Sequence, residues 1–172
     1  MAAVATGRVK FAALRAPDFY GPGVSQSHLG GLAFGNLAKG KPAMLIIDPD
    51  KPHAFAYVPD FARAVVSLLD AEDADFGQAL HVPCAPAQSA RQILQSAGGV
   101  VKISAIPCWL LPLLGLFMPI MKEMREMRFQ WDRPYEVDAS KFSRRFWADA
   151  TPLAVGAKAT RASFEQQGVT GS

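Results

Sequence analysis

Cysteine is scarce: Cys84 and Cys108 are the only two in 172 residues. Neither lies in a C-x-x-C pair, and one bridge would be a thin framework for this length, which argues against a disulfide scaffold or a zinc ribbon. Both read as reduced, half-buried thiols. Charge imbalance is small, with 18 Lys and Arg against 15 Asp and Glu, a net of +3. The basic residues are scattered rather than clustered, so nucleic acid is not an expected partner. The first residues, Met1 to Arg8, lack a charged segment followed by an apolar run. No signal peptide is read there, and a cytoplasmic location is expected. Internal repeats and low-complexity tracts are also lacking.

The three histidines, His28, His53 and His81, are far apart and have no Cys or carboxylate at ligand spacing. No metal site is expected. Asp48-Pro49-Asp50 starts like a calcium loop but does not continue as one. It reads as a solvated turn.

One stretch does lack charge entirely, Ile103 to Met121. Its length approaches the ~20 residues that span a bilayer. Pro107, Pro112 and Pro119, with Gly115 among them, would break such a helix and free backbone groups that lipid cannot satisfy. The expectation is two short helices packed on the protein, lining an apolar pocket, and no membrane span.

What is present is ordinary globular material, half of it hydrophobic and 19% charged, enough for one domain. Short apolar runs alternate with helical spacing. Strands are predicted at Val9–Leu14, Ala43–Ile47, Ala54–Val58, Ala79–Val82 and Val100–Ala105. Asp18 to Ser25 reads as a Gly/Pro loop, followed by a helix capped by Ser25 or Ser27 and ended by Gly40. A second helix starts near Pro59, with Ala62, Val65, Val66 and Leu69 at helical spacing. Gln88–Ala97 is a third, stopped by Gly98-Gly99, and a charged helix is expected around Lys122–Phe129. Asp138-Ala139-Ser140 and Thr151-Pro152 look like helix starts. The tail from Gln167 is expected to fray. Alternation of short strands and helices indicates an α/β domain with at least part of a parallel sheet.

Several motifs resemble chemistry without meeting its requirements. Gly35 to Pro42 approaches the phosphate loop G-x-x-x-x-G-K-[ST], but Pro42 replaces the magnesium-binding hydroxyl and the segment closes a helix instead of opening one. Gly21-Pro22-Gly23 has Gln26 where a dinucleotide fingerprint needs its third glycine. Ser25 and Ser27 lie near His28, yet no nucleophile elbow frames them.

Three segments, in order, carry a resemblance. They are Leu14-Arg15-Ala16-Pro17-Asp18-Phe19-Tyr20-Gly21-Pro22-Gly23, then Asp48 to Ala64 with Phe55-Ala56-Tyr57-Val58-Pro59-Asp60 at its centre, then Arg133-Pro134 with Asp138-Ala139-Ser140-Lys141. Together these resemble the C-terminal, substrate-binding half of the extended short-chain dehydrogenase/reductases, the NAD-dependent epimerase/dehydratase family. The resemblance implies the last strands of a doubly wound Rossmann-type sheet plus a small substrate-binding domain, here residues 1–172 as one unit. The family's Gly-rich loop and its Tyr-x-x-x-Lys pair, in which lysine lowers the tyrosine pKa for proton transfer, would precede this segment. None of Tyr20, Tyr57 or Tyr135 has Lys four residues on. A fragment, a truncated product or a split domain is therefore expected, inactive by itself. Non-catalytic binding or scaffolding is the alternative.

The same resemblance implies roles for particular residues. Ala16, Pro17 and Phe19 would lie against the nicotinamide end of NAD or NADP, which the isolated chain is not expected to hold. Asp18, standing where the family has Asn, would face substrate together with Tyr20, His53 and Arg133. A carboxylate accepts hydrogen bonds and cannot donate them, which disfavours an anionic sugar nucleotide nearby. The expected ligand is a small molecule, a nucleotide sugar or something less polar. The expected partner is a second copy or a nucleotide-binding chain, joined through the Val9–Leu14 strand.

Overall fold

The computed structural model describes residues 9–45, 48–105 and 133–170, with side chains to residue 167. Three short parallel strand pairs carry the architecture. β1 (Ala13–Arg15) pairs with β6 (Ala79–His81), β2 (Asp18–Tyr20) with β5 (Phe55–Tyr57), and β3 (Ala43–Leu45) with β8 (Ile103–Ala105). One antiparallel pair, β4 (Pro52–His53) with β7 (Gln88–Ser89), completes the pieces. Parallel strands need crossovers. Helix α2 (Val58–Ser67) runs between β5 and β6, and α3 (Ala90–Ser96) between β7 and β8. Mixed α/β architecture is thus observed, in agreement with the alternating pattern.

Local chemistry explains most boundaries. The Ser89 hydroxyl accepts from the Gln92 amide while the Gln92 side chain accepts from the Ser89 amide, a reciprocal capping box that starts α3. Gly98 and Gly99, at φ +87° and +77°, follow its end. The short helix α1 (Asn36–Ala38) is closed by Gly40 at φ +69°. There the Gly40 amide bonds the Leu37 carbonyl and the Lys41 amide bonds the Asn36 carbonyl, a Schellman closure. The near-match to a phosphate loop is therefore a helix terminus. Asp138 Oδ1 accepts from the Ser140 amide at 2.8 Å at the start of α4 (Ser140–Arg145).

Some expectations are corrected. The paired part of the first strand is only Ala13–Arg15, and Val9 and Phe11 before it are about half exposed. Asp18–Tyr20, read as loop, is a strand, because its backbone finds β5 as a partner. The helix expected from Ser25 or Ser27 starts later, as a wide π turn over Gly30–Gly35 that leads into α1, with Leu29 rather than a hydroxyl residue at its cap. A Cβ on Gly30 would sit 2.8 Å from the Val24 carbonyl oxygen, so only glycine permits this turn. Of the predicted apolar stripe, Ala62, Val65 and Val66 in α2 and Leu69 just beyond it are exposed, and the buried positions of α2 are Asp60 and Ala64. The last helix, α5 (Leu153–Thr170), continues through the tail expected to fray. Ile46, Ile47 and the segment 106–132, with the Pro-interrupted run beyond Ala105, the charged helix at Lys122–Phe129 and Cys108, lie outside the described residues. Among the described residues no helix is long and apolar enough to cross a membrane.

Two buried clusters hold the pieces together. The larger contains Tyr20, Leu29, Phe34, Ile93, Leu94 and Leu153 and joins α3 and α5 to the β2 and β3 regions. Each such side chain contributes roughly 1.5–3 kcal/mol on burial. The smaller lies at β6, where Leu80 and Val82 meet Ala64 of α2 and Phe142 of α4. Phe142 stacks on Phe146 at 4.8 Å and meets Trp147 edge-on at 5.3 Å. Asp60 ties α2 to the entry of α5, accepting from both the amide and the hydroxyl of Thr151 at 2.8 Å. That bond uses the Thr151 hydroxyl which the sequence pattern assigned to helix capping.

Candidate functional site

The chain leaves β1 at Arg15, turns through Ala16-Pro17 and enters β2 at Asp18. The turn falls at the carboxyl end of a parallel strand, where open α/β sheets place their ligand crevices. A cleft of about 790 Å³ opens there, with Ala16, Pro17, Asp18 and Phe19 along one wall. His53 and Tyr135 form another part of the lining, and the loop residues Gln26, Ser27 and His28 a third.

Backbone pairing brings the second wall into place. The Tyr135 amide donates to the Pro52 carbonyl at 3.1 Å, and the Ala54 amide donates to the Tyr135 carbonyl at 2.9 Å. This two-sided clamp sets Tyr135 beside His53, with ring centroids 5.0 Å apart. Phe55 meets the His53 ring from another direction at 4.9 Å. Rings packed this way fix the imidazole, which is only 6% exposed.

Polar chemistry converges on one carboxylate oxygen. His53 Nε2 lies 2.9 Å from Asp18 Oδ2, and His28 Nε2 lies 3.9 Å from the same atom. An ionised carboxylate only accepts, so the His53 Nε2 proton is the one shared in the short contact. Burial lowers the pKa of His28, opposed by the Asp18 charge and reinforced by His53. His28 is thereby biased toward the neutral imidazole. Among the described residues, the buried His53 Nδ1 and Ser27 Oγ, both atoms of residues that line the cleft, have no hydrogen-bond partner. Such groups cost about 1–3 kcal/mol each when left unsatisfied.

The residues expected from sequence separate here. Ala16, Pro17, Asp18, Phe19 and His53 come together in the cleft. Tyr20 does not line it: the ring is 1% exposed, packed among Phe55 and Tyr57, and burial pushes its hydroxyl pKa well above the usual tyrosine value, Tyr57 and Asp60 adding to the rise. Arg133 is exposed and also lies off the cleft lining. Gln26, Ser27, His28 and Tyr135 were not among the expected site residues. The signal for Ser27 and His28 was their place in a loop shortly after the Ala16–Phe19 segment. For Tyr135 the only cue was its closeness to Arg133. Cys84 is half-buried, and burial with the nearby Asp60 charge pushes its thiol up to about 11. That makes it a poor nucleophile.

No protein-family model matches the chain, and no curated protein matches it. Solved structures do. UDP-glucuronic acid 4-epimerase from Bacillus cereus, in complex with UDP-glucuronic acid and NAD, superposes with a TM-score of 0.68 at 17% identity, over 92% of this chain and 46% of that one. RMD from Pseudomonas aeruginosa, complexed with NADPH, gives 0.67 at 16% identity, over 95% and 50%. UDP-glucose 4-epimerase from Thermus thermophilus, in complex with NAD, gives 0.64 at 17% identity, over 95% and 49%. At these identities the likeness establishes the fold, the Rossmann-type α/β fold of the epimerases. The chain spans about half the length of these structures.

Proposed function

We propose that this chain is the substrate-binding portion of an NAD(P)-dependent epimerase, dehydratase or reductase. The observation that carries the reading is the cleft at the carboxyl end of β1. It gathers Ala16, Pro17, Asp18, Phe19 and His53, five of the seven residues to which the family resemblance assigns cofactor and substrate contacts. The likeness to NAD- and NADPH-bound structures supports the same placement of the dinucleotide. In this reading Ala16, Pro17 and Phe19 face the nicotinamide, while Asp18 and His53 face the substrate. Tyr20 acts behind them as a packing residue, and Arg133 flanks the site from outside the cleft.

The group that would shuttle hydride is NAD or NADP, and its pyrophosphate dock belongs to a partner half or a partner chain. This chain by itself turns over no substrate, because the Tyr-x-x-x-Lys pair is absent from its sequence. A purely binding or scaffold role is favoured by that same absence.

The test is side-chain NMR on the 172-residue chain, with turnover measured in parallel. A small hydroxyl-bearing or sugar-nucleotide ligand should shift Phe19, His53 and Tyr135, with no product formed in the presence of NAD or NADP. Ligand-induced shifts confined to another surface, or catalytic turnover by this chain alone, would overturn the reading.

A further inference from the structure

Asp18, Ser27, His28 and His53 form a polar corner in a cleft otherwise walled by Ala16, Pro17, Phe19 and Tyr135. We propose that this corner selects an uncharged ligand that presents a hydroxyl group, and that it disfavours the phosphorylated form of the same ligand. The proposal rests on the cleft being the ligand site.

The argument follows from counting donors and acceptors. Asp18 is the carboxylate among the described residues that line the cleft, with its side chain one third exposed. It accepts and has no proton to give. A phosphate oxygen placed beside it also only accepts, so the two can make no hydrogen bond and repel. The His53 Nε2 proton is engaged by Asp18 at 2.9 Å and is not available to an anion. His28 sits near the same oxygen and is biased to its neutral form by burial. No lysine or arginine is among the described residues that line the cleft.

A hydroxyl meets every one of these conditions. It donates to Asp18 through its proton, and Gln26, whose side-chain amide can donate, also lines the cleft. His53 Nδ1 and Ser27 Oγ, buried polar atoms without a partner among the described residues, both belong to cleft-lining residues. The rings of Phe19 and Tyr135 offer apolar surface to the carbon skeleton.

The hydroxyl could belong to a sugar or to a less polar alcohol, and a probe set separates them. Methyl β-glucoside, cyclohexanol, glucose 1-phosphate and UDP-glucose are titrated into the full 172-residue chain, and the His28 and His53 ring resonances are followed. One or both uncharged probes should bind at least about tenfold tighter than glucose 1-phosphate, and which of the two does so identifies the source of the hydroxyl. Asp18→Asn, checked for an unchanged thermal unfolding midpoint, should narrow that gap by about tenfold, since an amide donates to phosphate. Tighter binding of glucose 1-phosphate or UDP-glucose by the unmodified chain overturns the selectivity while leaving the cleft as a ligand site. An unchanged preference in a folded Asp18→Asn variant does the same. Silence of both histidines toward all four probes overturns the selectivity and the cleft assignment together. The comparison within the unmodified chain stands whether or not the variant folds.

Discussion

Gly156 of α5 lies so close to Tyr20 of β2 that a methyl group on the glycine would overlap the phenol, 3.0 Å from Cε2 and Cζ and nearer still to the hydroxyl oxygen. Glycine in a helix interior costs about 1 kcal/mol relative to alanine. Here that cost permits α5 to approach the strand that supplies Asp18.

Gly156→Ala should therefore destabilise the fold by about 1–3 kcal/mol, the range for overpacking, despite the better helix propensity of alanine. In a Tyr20→Phe background the penalty should shrink, because the nearest atom has gone. Urea unfolding of the two single variants and the double variant measures the coupling. Equal penalties in both backgrounds would show that the close approach is not the cause.

Asp60 and Thr151 make a second checkable joint. Asp60 is 7% exposed, and its two oxygens take both Thr151 donors. Thr151→Val keeps the amide bond and should cost about 1–2 kcal/mol; Asp60→Ala strands both donors and should cost about 2–4 kcal/mol. A Thr151→Val effect larger than that of Asp60→Ala would contradict this assignment of the bonds.

His28 gives a pH signature. Its folded pKa lies below the ordinary value of about 6.5. Between the two values the unfolded chain binds more protons at this site than the folded chain does. Stability therefore rises with pH through that window and falls as the solution is acidified from pH 7.5 toward the folded pKa. The ion-paired or hydrogen-bonded carboxylates Asp50, Asp75, Asp138 and Asp149, all with lowered pKa, lose their contribution only further down, below about 3.9. His28→Gln should flatten the thermal midpoint between pH 7.5 and 5.5. A slope unaltered by the substitution would assign it to another group.

Much of this architecture is visible in the residues themselves, and what is hidden has identifiable causes. The Ser89–Gln92 box and the Gly40 closure are local, written within a few neighbouring positions. The Asp18–Tyr20 strand is not, since its extended state depends on β5, and no nearby residue announces that pairing. The stripe Ala62, Val65, Val66, Leu69 has the right helical period, yet period alone cannot say which face of α2 meets the core. Ala64 does so instead, against Leu80 and Val82. At the site, the strand-end segment and His53 were legible through the family resemblance. Tyr135 was not, because it reaches the cleft by a backbone clamp on Pro52 and Ala54 that leaves no side-chain pattern.

Association is the remaining expectation. Among the described residues β1 is paired on one side, by β6. Val9 and Phe11, just before it, are 52% and 47% exposed. An open strand edge beside apolar side chains recruits another strand. Light scattering should show mass increasing with concentration in the micromolar range, and Phe11→Lys should lower it. A monomer at every concentration, with β1 amides protected from exchange, would mean that the edge is satisfied within the chain.

The strand pairs also bear on when the cleft comes into being. Each joins segments remote in sequence, Ala13 with Ala79, Asp18 with Phe55, Ala43 with Ile103, Pro52 with Ser89. Such contacts require long loops to close before any of them contributes stability, and chains built on them fold slowly. Asp18 and His53 stand in two of these pairs, on opposite sides of one hydrogen bond. No early, local intermediate can contain both, so in a chain still folding the cleft walls that they belong to are not yet joined. Any ligand that does bind there meets only finished molecules and raises their share of the population by mass action.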